Sequence, residues 1–493
     1  MRLLRESFGP IKSELIFSPF FLFTVYCLLS TAVSLSQNPD IKRTWNWYFG
    51  NYAGLNFSTG NPVALTNSAM SDYTGCSSIS DTAGNLLFYT DGVSVWNSNH
   101  QKMPNGTGLH GDPSQYVSQD GLIVPQPLSP KYYIFTIWQT PDSFRLKYSV
   151  VDMALNAGLG DVTIKNVFLT DKPTARLTAV KHANNTDIWV LNTDTNTNRF
   201  RAYLLTASGL QAPVISYAGR IDNVYAGIIK ASPDGKKIAV SITLVGSEIL
   251  DFDNLTGTVS NPILFPASSS HQDYGADFSP DNSKLYFTRK KYPPSPIYMV
   301  AQVDLSSGDS LTIANSFSIV DTFQAINMGQ VQLASDGKVY FSQSFKPYLS
   351  AITNPNVAGI GCNVVDSVIW LGGGGRQAYD GLPNFVTSYF FDSSLISINN
   401  TPELQNEIIC YPNPFKSYCY ISFPQEQCDY SARIGIYNVL GSDVTNEFDV
   451  SAICNEQWKT MMRIYRKNIP EGIYLLKATV HNKVYSQKLV ITD

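Results

Sequence analysis

Five tyrosines lie in short loops just ahead of probable inner strands and are the residues whose type and placement best suit recognition chemistry: Tyr73, Tyr116, Tyr225, Tyr274 and Tyr379. They stand in contexts such as Asp72-Tyr73-Thr74-Gly75, Val224-Tyr225-Ala226-Gly227 and Asp273-Tyr274-Gly275. Tyrosine offers a flat apolar face and a hydroxyl, which suits stacking on a sugar ring or gripping a peptide. The chain holds 28 Tyr, so packing between sheets is the competing account of the series. Acidic residues share these turns at Asp72, Asp120, Asp222, Asp273 and Asp380. Carboxylates gathered at one opening could bind Ca²⁺ or perform acid–base work. Asp also initiates turns, with no ligand involved.

Other chemistry is hard to find. There is no Gly-x-Ser-x-Gly elbow, no His-Glu-x-x-His, no phosphate loop and no dinucleotide fingerprint. His100, His110, His182, His271 and His481 are scattered, and no two have the spacing that would bring them onto one metal. The run Gly372-Gly373-Gly374-Gly375-Arg376 resembles a phosphate loop in composition, but no strand-to-helix context follows it. Asp251-Phe252-Asp253-Asn254 is the nearest approach to a calcium loop and lacks its Gly and distal Glu. The expectation is no catalytic residue set and no metal site; the sequence names no cofactor.

The elements that must position the tyrosines repeat. A turn followed by a mostly apolar tetrapeptide recurs at Leu87-Phe88-Tyr89-Thr90, Tyr133-Ile134-Phe135-Thr136, Ile188-Trp189-Val190-Leu191, Ile238-Ala239-Val240-Ser241, Leu285-Tyr286-Phe287-Thr288 and Val339-Tyr340-Phe341-Ser342. The steps are roughly fifty residues, the scale of propeller repeats. Preceding turns such as Ser232-Pro233-Asp234-Gly235, Ser279-Pro280-Asp281-Asn282 and Ser335-Asp336-Gly337 carry hairpin chemistry, with Gly or Asn at the position of positive φ. A continuously apolar strand needs both faces covered, so repetition implies sheets packed side by side in a ring or a solenoid. The stretch Ser232-Pro233-Asp234-Gly235-Lys236-Lys237-Ile238-Ala239-Val240-Ser241 resembles the propeller repeats of the TolB and WD-repeat-like kind. The expected fold is all-β: a β-propeller over 37–391, with seven blades preferred and six possible. Trp45–Gly50, Tyr52–Phe57, Pro62–Leu65 and Gly381–Val386 would build the closing blade. Residues 392–406 read as a linker.

Composition agrees with an all-β, turn-rich chain: charged residues make up only 15% and Tyr and Phe are abundant. The net charge of −4 leaves no basic footprint for nucleic acid.

The two ends read as addresses. Arg2, Arg5 and Lys12 precede an apolar stretch from Leu15 to Val33 and the small residues Ser34-Leu35-Ser36, the pattern of a signal peptide over 1–36, cleaved after Ser36. A retained anchor is the alternative; after cleavage no integral membrane segment is expected. Six cysteines follow: Cys76, Cys362, Cys410, Cys419, Cys428 and Cys454. Their even number permits disulfides in an exported chain, and the last four allow three pairings.

At the other end, Ile409-Cys410-Tyr411-Pro412-Asn413-Pro414-Phe415 opens a segment of alternating apolar and polar residues. It continues through Ile434-Gly435-Ile436-Tyr437-Asn438-Val439-Leu440-Gly441 and Ile469-Pro470-Glu471-Gly472-Ile473-Tyr474-Leu475-Leu476-Lys477 to Lys488-Leu489-Val490-Ile491. Short strands with Asn-Pro and Leu-Gly turns predict a small Ig-like β-sandwich over 407–493. The ordered motifs resemble the C-terminal sorting domain of type IX secretion. That resemblance implies roles for Tyr411, Pro412, Asn413, Pro414, Gly435, Tyr437, Gly441, Gly472, Tyr474 and Lys488 in the sorting signal. It also implies the type IX machinery as partner and delivery to the outer surface of a Gram-negative bacterium, or release from it. The four cysteines and the enlarged segment Thr445–Lys467 depart from the family pattern.

The expected role is therefore a non-catalytic surface or secreted module binding glycan or extracellular protein. An extracellular polysaccharide hydrolase or lyase, and a structural adhesin or envelope component, are the alternatives.

Overall fold

The computed structural model describes residues 38–391 apart from 113–116, 140–142, 223–225, 266–270, 292–295 and 324–326, and in the C-terminal part 409–422, 433–438, 441–454, 460–480 and 483–492. The expected signal peptide and linker, Tyr116, Tyr225, His481 and Cys428 lie outside the described residues. The chain divides into two compact units, Met1–Ile396 and Ser397–Asp493.

The first unit is a β-propeller of seven antiparallel sheets in chain order. The turn chemistry shows why each sheet forms. Between Gly227–Ala231 and Lys237–Ile242, Ser232 Oγ donates to Asp234 at 2.6 Å and Gly235 takes φ +72°. That closes a tight hairpin in register Ile229↔Val240. The apolar tetrapeptides become second strands, buried along their whole length in Ile188–Thr193 and Val339–Gln343 and half-buried at Leu87 and Tyr133. They are covered on both faces because neighbouring sheets pack against them. Leu191 and Ile238, from successive sheets, share one hydrophobic cluster. Ile249 and Phe287, from the next pair, share another. The ring closes where Trp47 and Phe57 of the first sheet meet Tyr340 of the seventh, with ring centroids 6.1 and 5.7 Å apart.

The first strands of the four-stranded sheets line the axis, and consecutive ones abut, as Gly227–Ala231 and His271–Phe278 do. The axis is filled. Gln119 Nε2 donates to Ile229 O at 3.0 Å, and its Oε1 accepts from Ile229 N at 2.8 Å and Leu177 N at 3.2 Å. One side chain thus ties the third, fourth and fifth sheets.

The expected closing blade is corrected in one strand. Asn46–Phe49, Ala53–Asn56 and Val63–Leu65 form the first sheet, but Gly381–Val386 does not join it as a ladder strand. It runs along the axis instead, with parallel bridges Cys76↔Pro383 and Ala179↔Val386 to the second and fourth sheets. Pro383 lacks the N–H a ladder strand needs. The side chains and carbonyls of the inner strands supply the partners: Asn384 Nδ2 donates to Leu177 O at 2.8 Å, Ser77 Oγ to Asn384 O at 2.6 Å and Thr387 Oγ1 to Ala179 O at 3.2 Å. Gly381 is required, since a Cβ there would collide with the Thr74 carbonyl. Cys76 and Cys362 are both buried free thiols, so no bond joins them.

The second unit is a sandwich. One sheet has the order Ile409–Tyr411, Tyr418–Ser422, Thr460–Arg466, Phe448–Cys454; the other has Arg433–Asn438, Gly472–Val480, Lys483–Ile491. Ile421, Ile464, Ile436, Leu476 and Leu489 fill the space between them. The sorting motifs hold one another. Asn413 Nδ2 donates to Lys488 O at 2.7 Å, Val490 N donates to Asn413 Oδ1 at 2.8 Å, and Phe415 N donates to Val490 O at 2.9 Å. Gly441 N donates to Asn438 O at 2.9 Å, and Tyr474 Oη to Pro470 O at 3.0 Å. Cys410 and Cys419 are buried free thiols in this core.

Candidate functional site

In an antiparallel sheet the start of the first strand and the turn between the second and third strands fall at the same end. The Tyr73 turn, ahead of Ser77–Ser80, and the 344–347 turn of the seventh sheet therefore open on one mouth of the propeller. Phe345, in that turn, takes φ +64° and is 42% exposed. Its N–H donates to Ala378 O at 2.8 Å, Ala378 N donates to Lys346 O at 2.8 Å, and Asn51 N donates to Gln377 O at 2.9 Å. Tyr379 is thereby pinned between the first and seventh sheets.

Tyr73, Phe345 and Tyr379 form one aromatic cluster. The centroid separations are 5.1 Å for Tyr73–Tyr379, 5.3 Å for Phe345–Tyr379 and 5.9 Å for Tyr73–Phe345. The tyrosine rings are half-buried. Tyr274 stands beside them: burial raises its pKa, and Asp380, Tyr73 and Asp72 are near enough to add to the shift. It also lines a cavity of about 220 Å³ with Asp273, Arg289, Lys290 and Asn327. Three of the five tyrosines thus share this mouth. Phe345 was missed because only the turns ahead of first strands were searched; a Phe between Ser344 and Lys346-Pro347 was the available signal.

Three of the carboxylates at this end are tied to internal donors. Asp120 accepts from Asp112 N at 2.7 Å and from Ile137 N and Gly121 N at 2.9 Å; burial nonetheless pushes it up to about 8. Asp273 is gripped by Arg289 at 2.5 and 3.0 Å and accepts from Ser247 Oγ at 2.6 Å. Asp380 accepts from Ser344 Oγ and from Asn327 Nδ2 at 2.8 Å. Asp72 is 4% exposed, with its pKa raised by burial and then by the charges of Asp91 and Asp120. The side chain of Asp222 lies outside the described residues. Among the described residues no group of three metal-ligating side chains converges. Gly372, Gly373, Gly374 and Gly375 all take positive φ in a loop, and Arg376 folds back to donate to Thr66 O at 2.6 Å. That arrangement is no phosphate cradle.

The chain is a β-propeller followed by a sandwich that exports it. Residues 409–492 match the family of secretion system C-terminal sorting domains, and the second unit is a type IX sorting domain. Its presence marks the chain as secreted or displayed at the cell surface and implies contact with the type IX machinery. No helix among the described residues is long and apolar enough to cross a membrane.

No curated protein matches the chain. Among solved structures it is similar to a protein of Bacteroides uniformis described provisionally as a 6-phosphogluconolactonase, with 12% identity, coverage of 63% of this chain and 92% of that one, and TM-score 0.42. A counterpart from Bacteroides fragilis, described in the same provisional way, has 11% identity, coverage of 69% and 97%, and TM-score 0.44. The β-propeller domain of Cps50 (Swd1) from Myceliophteria thermophila has 10% identity, coverage of 70% and 96%, and TM-score 0.31. Likeness at this level bears on neither activity nor ligand.

Proposed function

We propose that this protein is a non-catalytic binding module, exported by its sorting domain, whose aromatic mouth recognises glycan or extracellular protein. The observation that carries the reading is the cluster of Tyr73, Phe345 and Tyr379, partly open to solvent and fixed by backbone bonds from two sheets. Rigid aromatic faces present contact area at small entropic cost. The nearby carboxylates support binding over hydrolysis, because Asp120, Asp273 and Asp380 are committed to internal donors. The mature chain should be retained by members of a panel of insoluble neutral polysaccharides or by solubilised surface proteins. Tyr73→Ala with Tyr379→Ala should weaken that retention about tenfold or more. Retention unchanged by the double substitution would refute the site, as would a partner that binds only the sorting domain.

A further inference from the structure

We infer that a second pocket, between the third and fourth sheets, binds an oxyanion carried on a sugar ring, as in a uronic acid or a sulfated sugar. The pocket has a volume of about 500 Å³ and is lined by Phe168, Lys172, Asp194, Asn196, Arg199 and Arg201 among others. That volume is within the range of small-ligand sites. It owes nothing to the aromatic mouth, and either site can fail without the other.

The argument starts with strand periodicity. Arg199 and Arg201 are two apart on Thr197–Thr206, so they share a face. Both reach Asp194, in the turn before that strand. Arg201 Nε donates to Asp194 Oδ1 at 2.9 Å and its Nη2 to Oδ2 at 2.9 Å, while Arg199 also bonds Oδ2. The Asp194 side chain is 1% exposed, whereas those of Arg199 and Arg201 are 32% and 16% exposed. One buried carboxylate therefore orients two guanidiniums and neutralises only one of them. The exposed Lys172 adds a further positive charge to the lining. Asp171 also lines the pocket and is paired with Arg145 at 3.3 Å, so Lys172, Arg199 and Arg201 face two carboxylates in the lining. In a chain of net charge −4, this is a local cationic pocket with forked donors, which suits a planar carboxylate or a sulfate.

Two lining residues are held in the left-handed region, Lys172 at φ +57° and Asn196 at φ +60°. Lysine visits that region rarely, and bonds on both sides fix it here. Lys172 N donates to Phe144 O at 3.0 Å, and Lys172 O accepts from Thr195 N at 2.9 Å. Such backbone outliers concentrate where a ligand is clamped. Phe168 is 51% exposed and supplies the apolar wall on which a sugar ring can stack, which selects a charged sugar over a bare ion.

The test is titration calorimetry of the full mature chain against trigalacturonate, a sulfated disaccharide, neutral maltotriose and sodium sulfate. At least one anionic sugar should bind, more weakly as salt rises, while sulfate should not bind at the same concentrations and any maltotriose binding should be untouched by Arg199→Gln. Arg199→Gln and the exposed Lys172→Gln should each weaken binding about tenfold, and Arg199→Lys should recover only part, since it restores charge without the fork. Binding of trigalacturonate assigns the anion to a uronic acid, and binding of the sulfated sugar to a sulfate ester. The inference is overturned if neither anionic sugar binds, if sulfate binds equally well, if Arg199→Gln weakens maltotriose as much as the anionic sugar, or if folded Lys172→Gln binds like the wild type.

Discussion

Gln330 decides whether the axial segment is structural cement or a passive filler. Its side chain, 6% exposed, connects three parts of the ring to Gly381–Val386. Nε2 donates to Ser118 O and, at 3.5 Å, to Thr74 O; Oε1 accepts from Leu382 N at 3.1 Å. Gln330→Leu keeps most of the volume, so cavity terms are small, but it orphans the Leu382 N–H and the Ser118 carbonyl. The Thr74 contact is too long to count for much. Two orphaned buried groups at about 1–3 kcal/mol each, less a gain of about 1 kcal/mol from the apolar side chain, give an expected loss of about 1–5 kcal/mol. Gln330→Glu should cost more, because it faces two carbonyls with a buried charge. Urea unfolding followed by tryptophan fluorescence would read this as a lower midpoint at unchanged slope. Gln126→Leu is the control: its Nε2 donates to Ala207 O at 2.9 Å near the surface, and its loss should stay within about 0.5 kcal/mol. If Gln330→Leu fell within the control's range, the axial segment would not hold the ring. The account of how Tyr379 and Asp380 are fixed at the mouth would fall with it.

Two further predictions concern titration and export. Glu248 is 1% exposed, and burial lifts it to about 7 from the ordinary 4.5, against the pull of Arg220 and Arg176. The folded state thus holds a proton that the unfolded chain releases. Stability from this group is full below about pH 4.5 and is lost as pH rises toward 7, on the order of 2–3 kcal/mol. Glu248→Gln should flatten the dependence of the urea midpoint on pH between about 5 and 7.5, and identical slopes in the two proteins would refute the assignment. Asn413→Ala removes both bonds to the last strand and should cost the sorting domain about 1–2 kcal/mol. Surface delivery, read by proteinase accessibility of whole cells, should fall; delivery at wild-type level would mean that this pairing is not needed for recognition.

What the sequence made legible was whatever is decided locally. Ser232-Pro233-Asp234-Gly235 announces a hairpin because only a few residue types satisfy its backbone angles, and the structure has that hairpin with Gly235 at positive φ. The run Ile238-Ala239-Val240-Ser241 announces a strand covered on both faces because three successive apolar residues leave no solvent-facing side, and all four residues are buried. The sorting motifs were legible for a different reason. Tyr411-Pro412-Asn413-Pro414-Phe415 and Lys488-Leu489-Val490-Ile491 are partners in one hydrogen-bonded seam, so their joint presence carries more information than either alone.

The axis is the opposite case. Gly381–Val386 looks like a strand because it is apolar and carries Gly and Pro, yet it and Thr387 are held in part by the carbonyls of Leu177 and Ala179 and the hydroxyl of Ser77, roughly 200 to 300 positions earlier. No local pattern separates a ladder strand from a segment that side chains hold in the middle of a ring. The same limit applies to Asp194, Arg199 and Arg201. In sequence they read as ordinary turn and strand charges, and only the 1% exposure of the Asp194 side chain shows that two guanidiniums are aimed by one hidden carboxylate. The aromatic mouth was legible in part, through Tyr73 and Tyr379, because residue type and turn position show in sequence, whereas the pocket around Asp194 was not, because its chemistry is set by burial.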